Sequence, residues 1–181
     1  MKNSEILSEL KKINWTKILS VANSLDDLND KQWRFLKAVI IETALEKYSK
    51  NELVYVAENH RDFIWKKYGL SVELKTSVSS SMYQKRRWWE KKKSFNILLS
   101  NSMGTNNRTL PEIADIIIAI HNDGAYFIDR KTAIKNIKKN GDGFVITVDS
   151  SDVIEITDKM KIVKTTNDFK KKILGQIKEI I

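Results

Sequence analysis

Apolar residues recur along residues 4–22 at Ile6, Leu7, Leu10, Ile13, Ile18, Leu19 and Val21 or Ala22, a period close to helical. Asp26-Asp27-Leu-Asn-Asp30 supplies turn and N-cap chemistry. A second helical stripe then runs through Trp33, Leu36, Val39, Ile40, Thr43, Ala44 and Leu45, ending near Ser49-Lys-Asn51. Beyond residue 51 the period changes. Leu53–Ala57 predicts a short extended segment, and Asp62–Trp65, a Lys-Lys-Tyr-Gly69 turn and Leu70–Val78 predict a hairpin. Ser79-Ser-Ser81 is read as a loop, Phe95–Ser100 as a strand, and Asn101–Arg108 as a polar loop that ends at Pro111, the one proline.

Ile113–Ile120 and Ala125–Asp129 flank His121-Asn-Asp-Gly124, a strong hairpin signal because Asp-Gly tolerates positive φ. Gly141-Asp-Gly143 precedes Phe144–Val148, with Val153–Ile156 after it, and Asn167 opens a basic amphipathic stretch carrying Phe169, Ile173, Leu174 and Ile177. The pattern predicts one α/β domain over residues 1–181. Residues 1–50 form a helical N-terminal part, 51–160 a core with a mixed central sheet, and 161–181 a C-terminal helix.

The absence of cysteine removes disulfides, thiolate metal sites and cysteine nucleophiles. No apolar run reaches membrane-spanning length, and the N-terminus lacks the apolar centre of a signal peptide, so a cytoplasmic protein without a membrane partner is expected. The formal net charge is +9, and Gln84–Lys93 holds six cations against one anion. Such clustering favours a polyanion-binding patch over an evenly solvated face. Lys85, Arg86, Arg87, Lys91, Lys92 and Lys93 are the candidate phosphate contacts, and Trp88 and Trp89 serve either stacking or core packing. Asn101, Asn106, Asn107 and Arg108 offer amide and guanidinium groups suited to bases or phosphates.

The candidate chemistry lies in the first hairpin. On a strand alternate residues share a face, so Glu73 and Lys75 project to one side while Val72 and Leu74 project to the other. Asp62, at the start of the partner strand, faces that acid and amine. Two carboxylates and an ammonium suit a hard divalent cation and a reacting phosphate. Asp115 with Asp129-Arg130-Lys131 forms a second, competing Asp…Asp-x-Lys pair across the Asn-Asp-Gly turn. Glu42 and Glu46, four apart on the second helix, read as solvated surface acids, with an auxiliary role beside the hairpin as the alternative for either of them or for Glu58. His60 and His121 are isolated, and there is no nucleotide-binding glycine loop and no nucleophile elbow.

Asp62…Glu73-Leu74-Lys75 resembles the PD-(D/E)xK nuclease motif, in the version found in small orthodox type II restriction endonucleases. Arg61 stands where the motif's name has proline. The resemblance implies a restriction-endonuclease-like core, Mg²⁺ held by Asp62 and Glu73, and a nucleophile positioned by Lys75. It implies sequence-specific cleavage of double-stranded DNA, and a homodimer to match a palindrome, with the N-terminal helices as interface. Two alternatives stay open: a structure-specific repair or recombination nuclease, and a nucleic-acid-binding protein without catalysis.

Overall fold

The isoleucine-rich run at residues 116–120 becomes a strand buried on both faces, and the layers follow from it. In the computed structural model, residues 2–25, 34–58, 61–76, 78–84, 91–99, 113–121, 124–140, 143–149, 151–157 and 178 are described. Strand β6 (Ile116–His121) points Ile116, Ile118 and Ile120 into one apolar cluster, and Ile117 and Ala119 into another. A strand covered on both sides has no polar face to alternate with, which is why residues 116–120 are apolar at every position.

Three N-terminal helices supply the first cover: α1 (Asn3–Leu10), α2 (Trp15–Ser24) and α3 (Arg34–Tyr48). They lay Ile6, Leu10, Ile18, Leu19, Ile41 and Leu45 against Phe63, Val72, Leu74 and Phe127 of the sheet. The single helix read over residues 4–22 is in fact two. The Asn14 side chain accepts from the Lys17 N–H at 3.3 Å, which starts α2 afresh after a turn.

That sheet has six strands in the order β1-β2-β3-β6-β7-β10. Its members besides β6 are β1 (Leu53–Glu58), β2 (Arg61–Trp65), β3 (Leu70–Lys75), β7 (Gly124–Asp129) and β10 (Ile154–Glu155). All neighbours are antiparallel except β3 and β6, so the sheet is mixed. The β2–β3 hairpin turns through Gly69 at φ 64°, a conformation that costs a side-chain-bearing residue.

The second cover is a separate four-stranded antiparallel sheet in the order β4-β5-β9-β8. It contains β4 (Val78–Gln84), β5 (Lys91–Leu99), β8 (Ile137–Asn140) and β9 (Gly143–Asp149), and it leans on α4 (Arg130–Asn136). Phe95, Ile97, Ile146, Val148 and Ala133 meet Ile117, Tyr126 and Ile128 there. This layer is a correction. Ser79–Ser81 lies inside β4, not in a loop, and a single central sheet was expected. Of the expected C-terminal helix over 161–181, Lys178 is helical and the rest lies outside the described residues.

Edge strand β1 is capped by the helix before it. Leu53 N–H donates to Ser49 Oγ at 3.2 Å, and Tyr55 N–H donates to Glu46 Oε1 at 3.1 Å. These side chains meet backbone donors that a bare sheet edge would present to another chain. Among the described residues no helix is long and apolar enough to cross a membrane.

Candidate active site

The β2–β3 ladder pairs Trp65 with Leu70, Ile64 with Ser71 and Phe63 with Val72. Carried one position further, that register sets Asp62 opposite Glu73. Here the strand ladder gives way to a side chain, because Leu74 N–H donates to Asp62 Oδ2 at 2.6 Å. Glu73 is 1% exposed, and Val72 and Leu74 are buried in the helix-side cluster, so β3 alternates as its sequence predicts. Lys75 Nζ lies 2.7 Å from Glu73 Oε1. A carboxylate this deeply buried needs a cation, and the residue two further along the same strand face supplies it. Asp62, Glu73 and Lys75 are thus gathered at one point of the sheet.

Glu42 joins them electrostatically from α3. Burial pushes its carboxyl up to about 7; the Asp62 charge pushes the same way, and the Lys75 ammonium only partly offsets them. Glu42 is half-buried, so its reading as an ordinary solvated acid is wrong. Glu46, one turn on, is the β1 cap already described and has a structural task. Tyr55 is the residue that sequence reasoning missed. Its phenol is pushed above its ordinary value by the Glu42 charge first, then by burial and by Asp62. A tyrosine in an alternating edge strand carries no motif, so nothing in the sequence singled it out.

The competing pair does not form a second site. Asp115 precedes β6 and acts as a clasp: its Oδ2 accepts from Ser71 N–H at 3.0 Å and from Ser71 Oγ at 2.8 Å. Its Oδ1 lies 3.7 Å from Arg130 Nη1. Asp129 ends β7 and N-caps α4, accepting from Thr132 N–H at 2.9 Å and from Asn3 Nδ2 at 2.8 Å. Burial alone would raise the Asp129 carboxyl. The bonds from Thr132, Asn3 and the Lys131 backbone outweigh it and hold the group below its usual range. Lys131 is exposed in the first turn of that helix, so the strand alternation that Asp-x-Lys requires is absent.

Lys91, Lys92 and Lys93 open β5, with Lys93 in register with Met82. Lys85, Arg86, Arg87, Trp88, Trp89, Asn101, Asn106, Asn107, Arg108 and His60 lie outside the described residues. Glu58 ends β1 in register with Arg61. The His121 ring packs edge-on against Phe95, centroids 5.5 Å apart, as part of the layer between the sheets.

Among the described residues no group of three or more His, Asp or Glu side chains is arranged to hold a metal ion. Two carboxylates with oxygen donors are nonetheless the donor set Mg²⁺ accepts, since it commonly takes one or two from the protein and completes its shell with water and substrate phosphate. No known family model matches the chain, and no curated protein or solved structure is similar to it.

Proposed function

We propose that this chain is a Mg²⁺-dependent DNA endonuclease with a restriction-endonuclease-like core, cutting double-stranded DNA at a specific sequence as a homodimer of the type II restriction class. One observation carries the reading: Asp62 caps Leu74 N–H at the point where the β2–β3 ladder gives out, beside a buried Glu73 that is paired with Lys75. Two acids and an amine on adjoining strand positions are what phosphodiester hydrolysis asks of a protein.

Asp62 and Glu73 are the residues that would hold the cation. Bound there, Mg²⁺ supplies charge neutralisation at the scissile phosphate and a more acidic water. Lys75 contributes a positive charge at the edge of the pair, 22% exposed, able to hold a phosphate oxygen while water adds to phosphorus and the ester P–O bond breaks. The basic character of the chain, +9 overall, supports a polyanionic substrate whose affinity falls steeply with salt.

The test is digestion of a long mixed-sequence DNA with Mg²⁺, followed by sequencing of the fragment ends. Discrete ends at one recurring sequence are expected, lost in Lys75→Ala and kept in Lys131→Ala. Cleavage confined to junctions or flaps without sequence preference would favour a structure-specific nuclease instead. No cleavage with any divalent cation overturns the enzyme.

A further inference from the structure

Arg130, the first residue of α4, reaches the face of the sheet that carries the acids. Along β3, Ser71, Glu73 and Lys75 share one face, opposite Val72 and Leu74 in the helix-side cluster. Ser71 is locked to Asp115 by three hydrogen bonds. Ser71 N–H and Oγ donate to Asp115 Oδ2 at 3.0 and 2.8 Å, and Asp115 N–H donates to Ser71 Oγ at 2.9 Å. The Ser71 hydroxyl lies on the Glu73 face by alternation, so the carboxylate bonded to it lies there too. The other Asp115 oxygen faces Arg130 Nη1 at 3.7 Å, and Arg130 N–H donates to the Asp115 carbonyl at 3.1 Å, which anchors the base of the side chain. The acids therefore lie between two cations. Lys75 stands two residues beyond Glu73 and Arg130 at the level of Ser71, two residues before it, each step of two spanning ~6.6 Å.

We propose that Arg130 is a substrate-contact residue whose guanidinium holds a DNA phosphate flanking the one at Asp62 and Glu73. This deepens the nuclease reading and rests on it. The guanidinium is 37% exposed, and its contact with Asp115 is longer than a hydrogen bond. A phosphate oxygen can replace Asp115 Oδ1 there without disturbing the Ser71 clasp, which uses the other oxygen. A guanidinium presents paired donors that match two phosphate oxygens at once, a stronger fit than an ion pair at 3.7 Å. The Asp115 charge is open to solvent and screened, so it weakens the phosphate contact without abolishing it. DNA repeats its charge along each strand, so a cation a few ångströms from the scissile phosphate meets a neighbouring one. Lys131 is exposed one residue further on, and a helix turns ~100° per residue, so it projects away from this face.

The experiment measures binding of fluorescein-labelled duplex DNA by anisotropy across a salt series, with Ca²⁺ in place of Mg²⁺ so that bound DNA stays intact. Wild type is compared with Arg130→Gln, Arg130→Lys and Lys131→Gln, each shown by thermal melting to be folded. Arg130→Gln should weaken binding about tenfold and lower the slope of log affinity against log salt by about one, the signature of one lost phosphate contact. Arg130→Lys keeps the charge without the fork, so it should keep the slope and lose less affinity. Lys131→Gln removes an equal charge one residue away and should leave affinity and slope at wild-type values. In Mg²⁺, Arg130→Gln should raise KM more than it lowers kcat, because the phosphate it loses is not the one that reacts. A residue that only paired with Asp115 would lower the melting temperature on removal and move neither slope nor KM. Wild-type affinity and slope in Arg130→Gln overturn the contact and leave the nuclease standing. An equal loss in Lys131→Gln does the same, since general charge and not a site would then be at work. Failure of the wild type to bind DNA overturns both.

Discussion

The carboxylate of Asp62 and the backbone N–H of Leu74 meet at 2.6 Å across the end of the β2–β3 ladder. That single bond fixes an acid at the position where a strand carbonyl would otherwise serve, and it ties the acid to the residue between Glu73 and Lys75. Asp62→Asn keeps an acceptor oxygen of the same reach but removes the charge. Stability should change by no more than about 1 kcal/mol, because the backbone donor remains satisfied. Cleavage should fall about a hundredfold or more, several kcal/mol of charge stabilisation at the phosphate being lost. Urea unfolding and single-turnover cleavage of the same preparation check both halves.

Glu73 is buried and its ion-pair partner Lys75 is partly exposed, and removal of the pair is not symmetrical. Lys75→Ala leaves the Glu73 carboxylate without the cation 2.7 Å away, and should destabilise the fold by roughly 3–5 kcal/mol. Glu73→Gln combined with Lys75→Gln should recover much of that loss without recovering cleavage. A double-mutant cycle in urea measures the coupling. Additive effects would mean that the two groups do not stabilise one another.

Glu42 makes stability depend on pH in the direction opposite to most carboxylates. Its folded value of about 7 lies above the ordinary 4.5, so between those pH values the folded chain holds a proton that the unfolded chain has released. Its contribution is therefore fully present below about 4.5 and is lost as pH rises through about 7. The urea midpoint should decline across that window, and Glu42→Gln should flatten the decline. Asp62→Asn should lower the Glu42 value, since it removes a neighbouring negative charge, and NMR titration of the Glu42 carboxyl reads this directly.

Asp115 should behave as structure and not as chemistry. Asp115→Ala strips acceptors from Ser71 N–H and Ser71 Oγ and a partner from Arg130, which should cost about 1–3 kcal/mol. Cleavage per folded molecule should be unchanged. Lys131→Ala, exposed in the first turn of α4, should alter neither stability nor rate by more than experimental scatter.

The proposed binding of a cation can be tested without any DNA. Mg²⁺ should raise the Tm of the wild type, and the rise should vanish in Asp62→Asn and in Glu73→Gln. Equal shifts in all three proteins would place the ion elsewhere.

The first hairpin was legible because its signals are local. A glycine sits where φ is positive, and apolar residues alternate with the Glu-x-Lys pair. The β6–β7 hairpin was legible for the same reason. The second sheet was not, because Val78–Gln84 is polar on successive positions and becomes a strand by pairing with β5, a contact that no window of sequence contains. Asp129 misled for a related reason. Asp-Arg-Lys-Thr is at once an Asp-x-Lys and a helix N-cap, and only the hydrogen bond from Thr132 N–H decides between them. Glu42 looked like surface because burial by a facing sheet is not written into a helix, while the Tyr55 ring gained meaning only from its neighbours.

The bond from Tyr55 N–H to Glu46 has a mechanical consequence. Glu46 and Glu42 are one turn apart on α3, so the helix that carries the high-pKa acid is also tethered to the backbone of the exposed ring. A displacement of α3 is thereby transmitted to the backbone that carries the ring. A shift of α3 relative to the sheet would move Glu42 against Asp62, and a partner that leaned on the outer face of that helix would reach the strand ends without touching them.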